Sequence, residues 1–236
     1  MGSISRSQLT DYALFVIEKY GKSFAETIIN WGRSNFRHYP WRKNRNPYKV
    51  FICEIFLQRT KADQVVPVYN EFMKSFPNLE QLIKTENRES IIISIIKPLG
   101  LLKRAQILSD SITSIHDNFG GQIPDNYKDL MELKGIGAYI ASSTLCFGFD
   151  KKKAILDANI ARIYSRLFNI NSRTKTPKSD VFLWNFCEKI LPTKFVAFNY
   201  AMLDLGGIIC RHRNPKCLEC PLIDSCLYFN NKIDLE

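Results

Sequence analysis

Four cysteines near the C-terminus, Cys210, Cys217, Cys220 and Cys226, follow the spacing C-x6-C-x2-C-x5-C. Four thiols within one short loop can wrap a single inorganic centre, and tetrahedral sulfur coordination means zinc or an iron–sulfur cluster. A pair of disulfides is the competing reading and needs an oxidising compartment. Nothing else in the chain points to one. The N-terminal stretch from Met1 to Tyr12 is polar and lacks the apolar core of a secretory signal, and Arg6 stands where a myristoylation pattern needs Ser or Thr. The best candidate for a membrane run, Ile91–Ile96, stops at Lys97-Pro98, far short of membrane length. Cys53, Cys146 and Cys187 sit singly in apolar contexts and read as buried thiols. The expectation is an intracellular protein, nucleoid-associated, working in a reducing space.

Apolar residues recur at three- and four-residue steps over Leu9–Lys19, Phe24–Phe36, Pro47–Leu57, Val65–Phe76, Leu79–Lys84 and Glu89–Ile96. The same pattern covers Lys103–Phe119, Tyr127–Leu133, Ala138–Gly148, Ala158–Phe168, Lys178–Ile190 and Lys194–Ile209. Gly21, Pro40, Pro77, Pro98, Gly120-Gly121, Pro124, Pro177 and Pro192 fall between these segments. No stretch alternates long enough to demand a sheet, so the fold class is all-α. The last residues, Phe229–Glu236, read as frayed.

Between two of these helices lies Leu133-Lys134-Gly135-Ile136-Gly137, with the next helix starting at Ala138. Two glycines flanking one residue admit backbone angles closed to other residues. A helix that starts at once points its free N–H groups and positive dipole end into the turn. That arrangement grips a phosphate without reading sequence. An ordinary αα-corner is the plainer reading of a lone G-x-G. Downstream comes Ile155-Leu156-Asp157-Ala158-Asn159-Ile160-Ala161-Arg162, where Asp157, twenty residues after Gly137, reads as a helix N-cap.

Taken together, the hairpin and the Asp157 segment resemble the helix-hairpin-helix DNA glycosylase superfamily, in its endonuclease III and adenine-DNA glycosylase branch. That family shows Leu-Pro-Gly-Val/Ile-Gly followed by Leu/Val-Asp-x-Asn-Val/Ile-x-Arg; here Lys134 replaces the proline. Tyr39-Pro40-Trp41-Arg42, Asn46-Pro47-Tyr48 and Glu54-Ile55-Phe56-Leu57-Gln58-Arg59-Thr60 resemble the family's N-terminal run. Phe198-Asn199-Tyr200-Ala201-Met202-Leu203-Asp204-Leu205-Gly206 leading to Cys210 resembles its C-terminal run, and the cysteine spacing is that of its [4Fe–4S] cluster. The likeness spans residues 24 to 227. It implies two helical lobes: a six-helix barrel with the helix-hairpin-helix, about residues 40–150, and a lobe of residues 1–39 and 151–236 carrying the cluster loop, with DNA in the cleft between. It also implies that the cluster is structural or redox-sensing.

By the same resemblance Asp157 is the catalytic aspartate and Glu54 aligns with the glutamate that protonates a departing purine. Tyr139 stands where bifunctional members carry the lysine that forms a Schiff base, where adenine glycosylases usually carry serine, and where archaeal-type G·T mismatch thymine glycosylases carry tyrosine. Without lysine the attacking group is water, so the expected enzyme is monofunctional. Its partner is double-stranded DNA holding a mismatch or lesion, and the expected state is a monomer. Gly135, Gly137 and Ala138 would grip phosphate. Gln58 and Arg59 would enter the duplex near the vacated base, with Ala62 matching the thymine branch. The chain ends ten residues after Cys226, without the further domain of typical adenine glycosylases. The expected substrate is therefore thymine or uracil opposite guanine. The alternatives are adenine opposite guanine or 8-oxoguanine, a non-catalytic DNA-binding module, and a zinc-ribbon DNA binder.

Read without the likeness, Tyr139 is an aromatic packed at a helix start and Glu54 a buried acid that needs a partner. A formal net charge of +10, from 33 Lys and Arg against 23 Asp and Glu, fits a polyanionic partner. Lys151-Lys152-Lys153, just before Asp157, reads as a solvated face or as a phosphate contact. His38, His116 and His212 have no ligand spacing.

Overall fold

The computed structural model describes residues 6–100 and 103–233, and every regular element among them is helical. The chain divides into two compact units. One is His38–Lys152; the other joins the segment up to Arg37 with the segment from Lys153 onward. The signal readings at residues 1–5 and the last three residues lie outside the described chain.

Helix α1 runs unbroken over Arg6–Asn35. The sequence pattern, with Gly21 as a breaker, predicts two helices here. A mid-helix glycine costs only about 1 kcal/mol, and the flanking Val16, Phe24, Ala25 and Ile28 are all buried. Their burial outweighs the glycine. At Gly21 itself an added Cβ would meet Ile190 Cγ1 at 3.6 Å, an ordinary packing contact.

In the unit His38–Lys152, the helices are α2 (Pro40–Lys43), α3 (Pro47–Leu57), α4 (Ala62–Ser75), α5 (Leu79–Lys84) and α6 (Arg88–Ile96). There follow α7 (Lys103–Asn118), α8 (Tyr127–Glu132) and α9 (Ala138–Ser143). Asparagine side chains start three of them. Asn46 accepts from Tyr48 N at 2.9 Å, Asn78 from Gln81 N at 2.9 Å and Asn126 from Asp129 N at 3.0 Å, each taking an N–H that a helix start leaves bare. Helix α3 is buried from Tyr48 to Phe56, Lys49 apart, and forms the centre of the unit. Its Phe56 ring meets Phe72 of α4 edge to face at 5.2 Å. The sequence pattern carries α9 to Gly148 as one α-helix; from Thr144 to Gly148 the backbone widens into a π-turn. Gly148 is pressed so close to α3 that an added Cβ would lie 2.9 Å from Pro47 Cα.

In the other unit α1 packs along α12 (Phe195–Ile208), accompanied by α10 (Ala158–Phe168), α11 (Val181–Ile190) and α13 (Leu227–Ile233). Phe24 of α1 meets Tyr164, Phe168 and Phe198 edge to face. Periodicity starts α11 at Lys178. The helix instead starts after Asp180, whose carboxylate caps it by accepting from Phe182 N at 2.9 Å. The segment from Phe229, read as frayed, is helical as far as Ile233. Among the described residues no helix is long and apolar enough to cross a membrane.

Candidate active site and cysteine cavity

Helix α3 carries Glu54 on its buried side, 4% exposed. Immediately after the helix the chain turns through Gln58 (φ −56°, ψ 114°) and Arg59, whose φ is 55°. Arg59 is exposed, Gln58 and Thr60 are half-buried, and Ala62 opens α4. Under this turn lies Arg104 of α7, 2% exposed. It donates to Phe56 O at 2.8 Å, to Gln58 O, and to Thr60 Oγ1 at 2.6 Å.

Helix α9 packs against α3. It begins at the hairpin, where Gly135 has φ +79° and its Cα faces Ile107, so an added Cβ would sit 2.8 Å from Ile107 Cγ1. Gly137 differs. Its φ is −105°, an angle any residue adopts, and an added Cβ would meet nothing within 4 Å. The expectation that both glycines are needed for backbone angles therefore holds at Gly135 alone. What Gly137 provides is open space before the first turn of α9, in front of Ala138. Lys134, in place of the family's proline, is exposed and bonds Asp110 at 2.8 Å. Tyr139, half-buried, packs against the hydrophobic cluster of this unit.

Asp157 belongs to the other unit. It caps α10, with one carboxylate oxygen accepting from Ile160 N and the other from Asn159 Nδ2, both at 2.8 Å. Asn159 Oδ1 accepts from Arg162 Nη2 at 2.8 Å. The order of donors is forced: an ionised carboxylate only accepts and a guanidinium only donates, so the Asn159 amide must give its N–H to Asp157 and its oxygen to Arg162. Arg162 continues to Cys210 O at 2.9 Å and Gly206 O at 2.9 Å. Helices α10 and α12 come this close because position 206 is glycine; a Cβ there would lie 2.7 Å from Asn159 Cβ. Burial raises the pKa of Asp157, against the opposing pull of the Ile160 N–H, the Asn159 amide and the Arg162 charge.

Cys210, Cys217, Cys220 and Cys226 line one cavity together with Arg166, Ile209, Pro215, Ile223, Tyr228 and Phe229. Arg166 donates to Cys210 Sγ at 3.5 Å and to the carbonyls of Arg211 and His212 at 2.7 and 3.1 Å. Burial, then the neighbouring thiols, push the Cys220 thiol up to about 11. Cys53, Cys146 and Cys187 are buried elsewhere. Among the described residues no three His, Cys, Asp or Glu side chains form a group that could hold a metal ion.

The bonding roles of Asn159, Arg162, Arg104 and Arg166 are not announced by the sequence. Only a trace of two of them is in the sequence: Arg162 and Arg166 stand four apart, on one face of a helix.

The model of the HhH-GPD superfamily of base excision DNA repair proteins matches residues 52–189. A thymine-DNA glycosylase of Aeropyrum pernix is 36% identical over 92% of this chain and 99% of its own length. A thymine/uracil-DNA glycosylase of Methanothermobacter thermautotrophicus is 34% identical over 89% of this chain and 95% of its own. An adenine DNA glycosylase of Buchnera aphidicola subsp. Baizongia pistaciae is 37% identical over 89% of this chain, which spans 60% of that relative. Among solved structures, a thermostable thymine-DNA glycosylase superposes with a TM-score of 0.83 at 33% identity, covering 92% of this chain and 99% of the other. A non-covalent endonuclease III–DNA complex superposes with a TM-score of 0.72 at 17% identity, a likeness of fold. On the family match and the full-length identities, the chain belongs to the HhH-GPD superfamily of base excision DNA repair proteins.

Proposed function

We propose that this chain is a monofunctional DNA glycosylase that hydrolyses the bond between deoxyribose C1′ and a thymine or uracil mispaired with guanine, acting as a monomer on duplex DNA. The observation that carries the reading is Tyr139, an aromatic ring and no amine, at the first turn of α9 beside the hairpin. The thymine and thymine/uracil glycosylases that the chain resembles over nearly all its length support the choice of base.

In this reading the hairpin residues Gly135, Gly137 and Ala138 hold the phosphate backbone, and the open space at Gly137 lets it approach. Gln58, Arg59 and Ala62 meet the duplex where the target nucleotide leaves the stack. Glu54 and Tyr139 hold the edge of the extruded base. As the C1′–N1 bond breaks, its electron pair leaves with the pyrimidine and the sugar becomes cation-like. Ionised Asp157 stabilises that cation and takes the proton from the water that attacks C1′. Asn159 and Arg162 favour the ionised carboxylate against its burial and aim it. The buried Glu54 and the adenine glycosylases among the relatives favour one second reading, removal of adenine opposite guanine or 8-oxoguanine.

We further propose that Cys210, Cys217, Cys220 and Cys226 hold a [4Fe–4S] cluster. What supports this is the donor set: four thiols line one cavity, otherwise walled by apolar side chains and Arg166, and a four-iron cluster takes one thiolate per iron instead of gathering three side chains on a single ion. The cluster would tie the loop after α12 to α10 and takes no part in hydrolysis. Liberation of free base from a G·T duplex, with the strand cut only after alkali and no complex trapped by borohydride, is the expected result. Efficient borohydride trapping would refute the monofunctional assignment.

A further inference from the structure

Arg104 is a buried cation whose hydrogen bonds all go to uncharged acceptors. The other buried positions of α7 include Ala105, Leu108, Ile112 and Ile115, so an apolar side chain would suit position 104 as well. Burying a guanidinium instead is costly and calls for a reason. Its three partners are the Phe56 carbonyl, the Gln58 carbonyl and the Thr60 hydroxyl. The carbonyls at the C-terminal end of α3 have no partner within their own helix. The guanidinium satisfies two of them from another helix, through a planar fork with fixed geometry. Thr60 N closes the turn by donating to Leu57 O at 3.2 Å.

The residue held over this fork is Arg59, at φ 55°. A side-chain-bearing residue other than Asn or Asp rarely adopts that angle, and it persists only where the surroundings over-determine it. Here the strained residue is also an exposed cation. It lies five residues after the buried Glu54, in a protein with a net charge of +10.

We infer that Arg104 is a positioning residue for base removal: it locks the Gln58–Arg59–Thr60 turn so that the exposed Arg59 side chain is presented to DNA as a rigid wedge. The inference rests on the DNA glycosylase reading of the site. A rigid turn meets the cost of unstacking the target nucleotide with no further cost of ordering the loop. Arg104 itself touches neither base nor sugar.

The test compares single-turnover base removal from a G·T duplex with removal of thymine placed opposite an abasic site, where no pair holds it in the stack. Arg104→Lys and Arg104→Met are expected to slow the paired substrate by about tenfold or more and the unpaired one by less than about threefold. Binding to undamaged duplex should hold. Arg59→Ala should show the same asymmetry, and the double variant Arg59→Ala with Arg104→Lys should be no slower than the slower single one. Equal losses on both substrates, additive losses, or unchanged rates would overturn the inference. If the Arg104 variants lose their helical circular dichroism, Thr60→Val, which removes one acceptor of the fork, carries the same expectation. Should wild-type protein release adenine and not thymine, the proposed base is wrong, and the comparison is made with adenine in the same two contexts. A fluorescent purine analogue beside the mismatch reads unstacking without bond breaking, so the wedge is tested even in a protein that releases no base.

Discussion

Ionising Asp157 places a charge where burial favours the neutral acid, so its pKa rises although Ile160, Asn159 and Arg162 all favour the anion. The sign has two consequences. Base removal needs the anion, so activity should fall as pH drops through the raised pKa. The fold prefers the acid, so Asp157 contributes stability at low pH that is lost as pH rises through the folded-state value. Asn at this position can still cap α10. Asp157→Asn should therefore cut single-turnover base removal by about a hundredfold or more, with DNA binding retained. Its melting temperature should gain on that of wild type as pH rises; a difference independent of pH would place the charge in solvent. At Tyr139, substitution by Lys should introduce strand cleavage and a borohydride-trapped complex, read on a denaturing gel, if this side chain faces C1′. Absence of both outcomes would make Tyr139 a packing residue. Asp157 was legible in the sequence as a cap, because that follows from its place before Ala158. Arg104 and Arg162 were not legible as connectors. A hydropathy pattern marks apolar positions as buried and reads a charged residue as facing water, and only the fold brings carbonyls within reach of those guanidinium groups.

The hairpin separates two glycine roles that look identical in sequence. Gly135→Ala forces a Cβ into a left-handed backbone, at a cost of about 1–2 kcal/mol, and into Ile107 as well. The melting temperature should fall, with DNA affinity reduced only through instability. Gly137→Leu meets neither obstacle, so the melting temperature should hold. Affinity should drop alike for matched and mismatched duplexes, with a shallower dependence on salt. A loss confined to mismatched DNA would contradict the phosphate grip. Helices capped by Asn46, Asn126 and Asp157 start where the sequence pattern puts them, since a cap is a local event. The joined α1 and the widened turn at Thr144–Gly148 were not legible. The first depends on burial along the whole helix, and the second on the close approach of Pro47 to Gly148.

At the scale of the whole chain, the all-helical class was legible from periodicity alone, and the family from motifs spread over most of the length. How the four cysteines sit was not: spacing places them in one loop, whereas their shared cavity depends on α10 bringing Arg166 to Cys210. Purified protein should be brown and contain about four irons per chain. Cys220→Ser should lose iron and melt at lower temperature; zinc without iron would contradict the cluster. The choice of base and water as the nucleophile together define the proposed reaction. Wild-type protein incubated with duplexes holding G·T, G·U, A·G and A opposite 8-oxoguanine, with strand breaks counted before and after alkali, tests both at once. Breaks in the G·T and G·U duplexes alone, and only after alkali, are the expected result. Breaks at adenine alone, or breaks before alkali in any duplex, would contradict it.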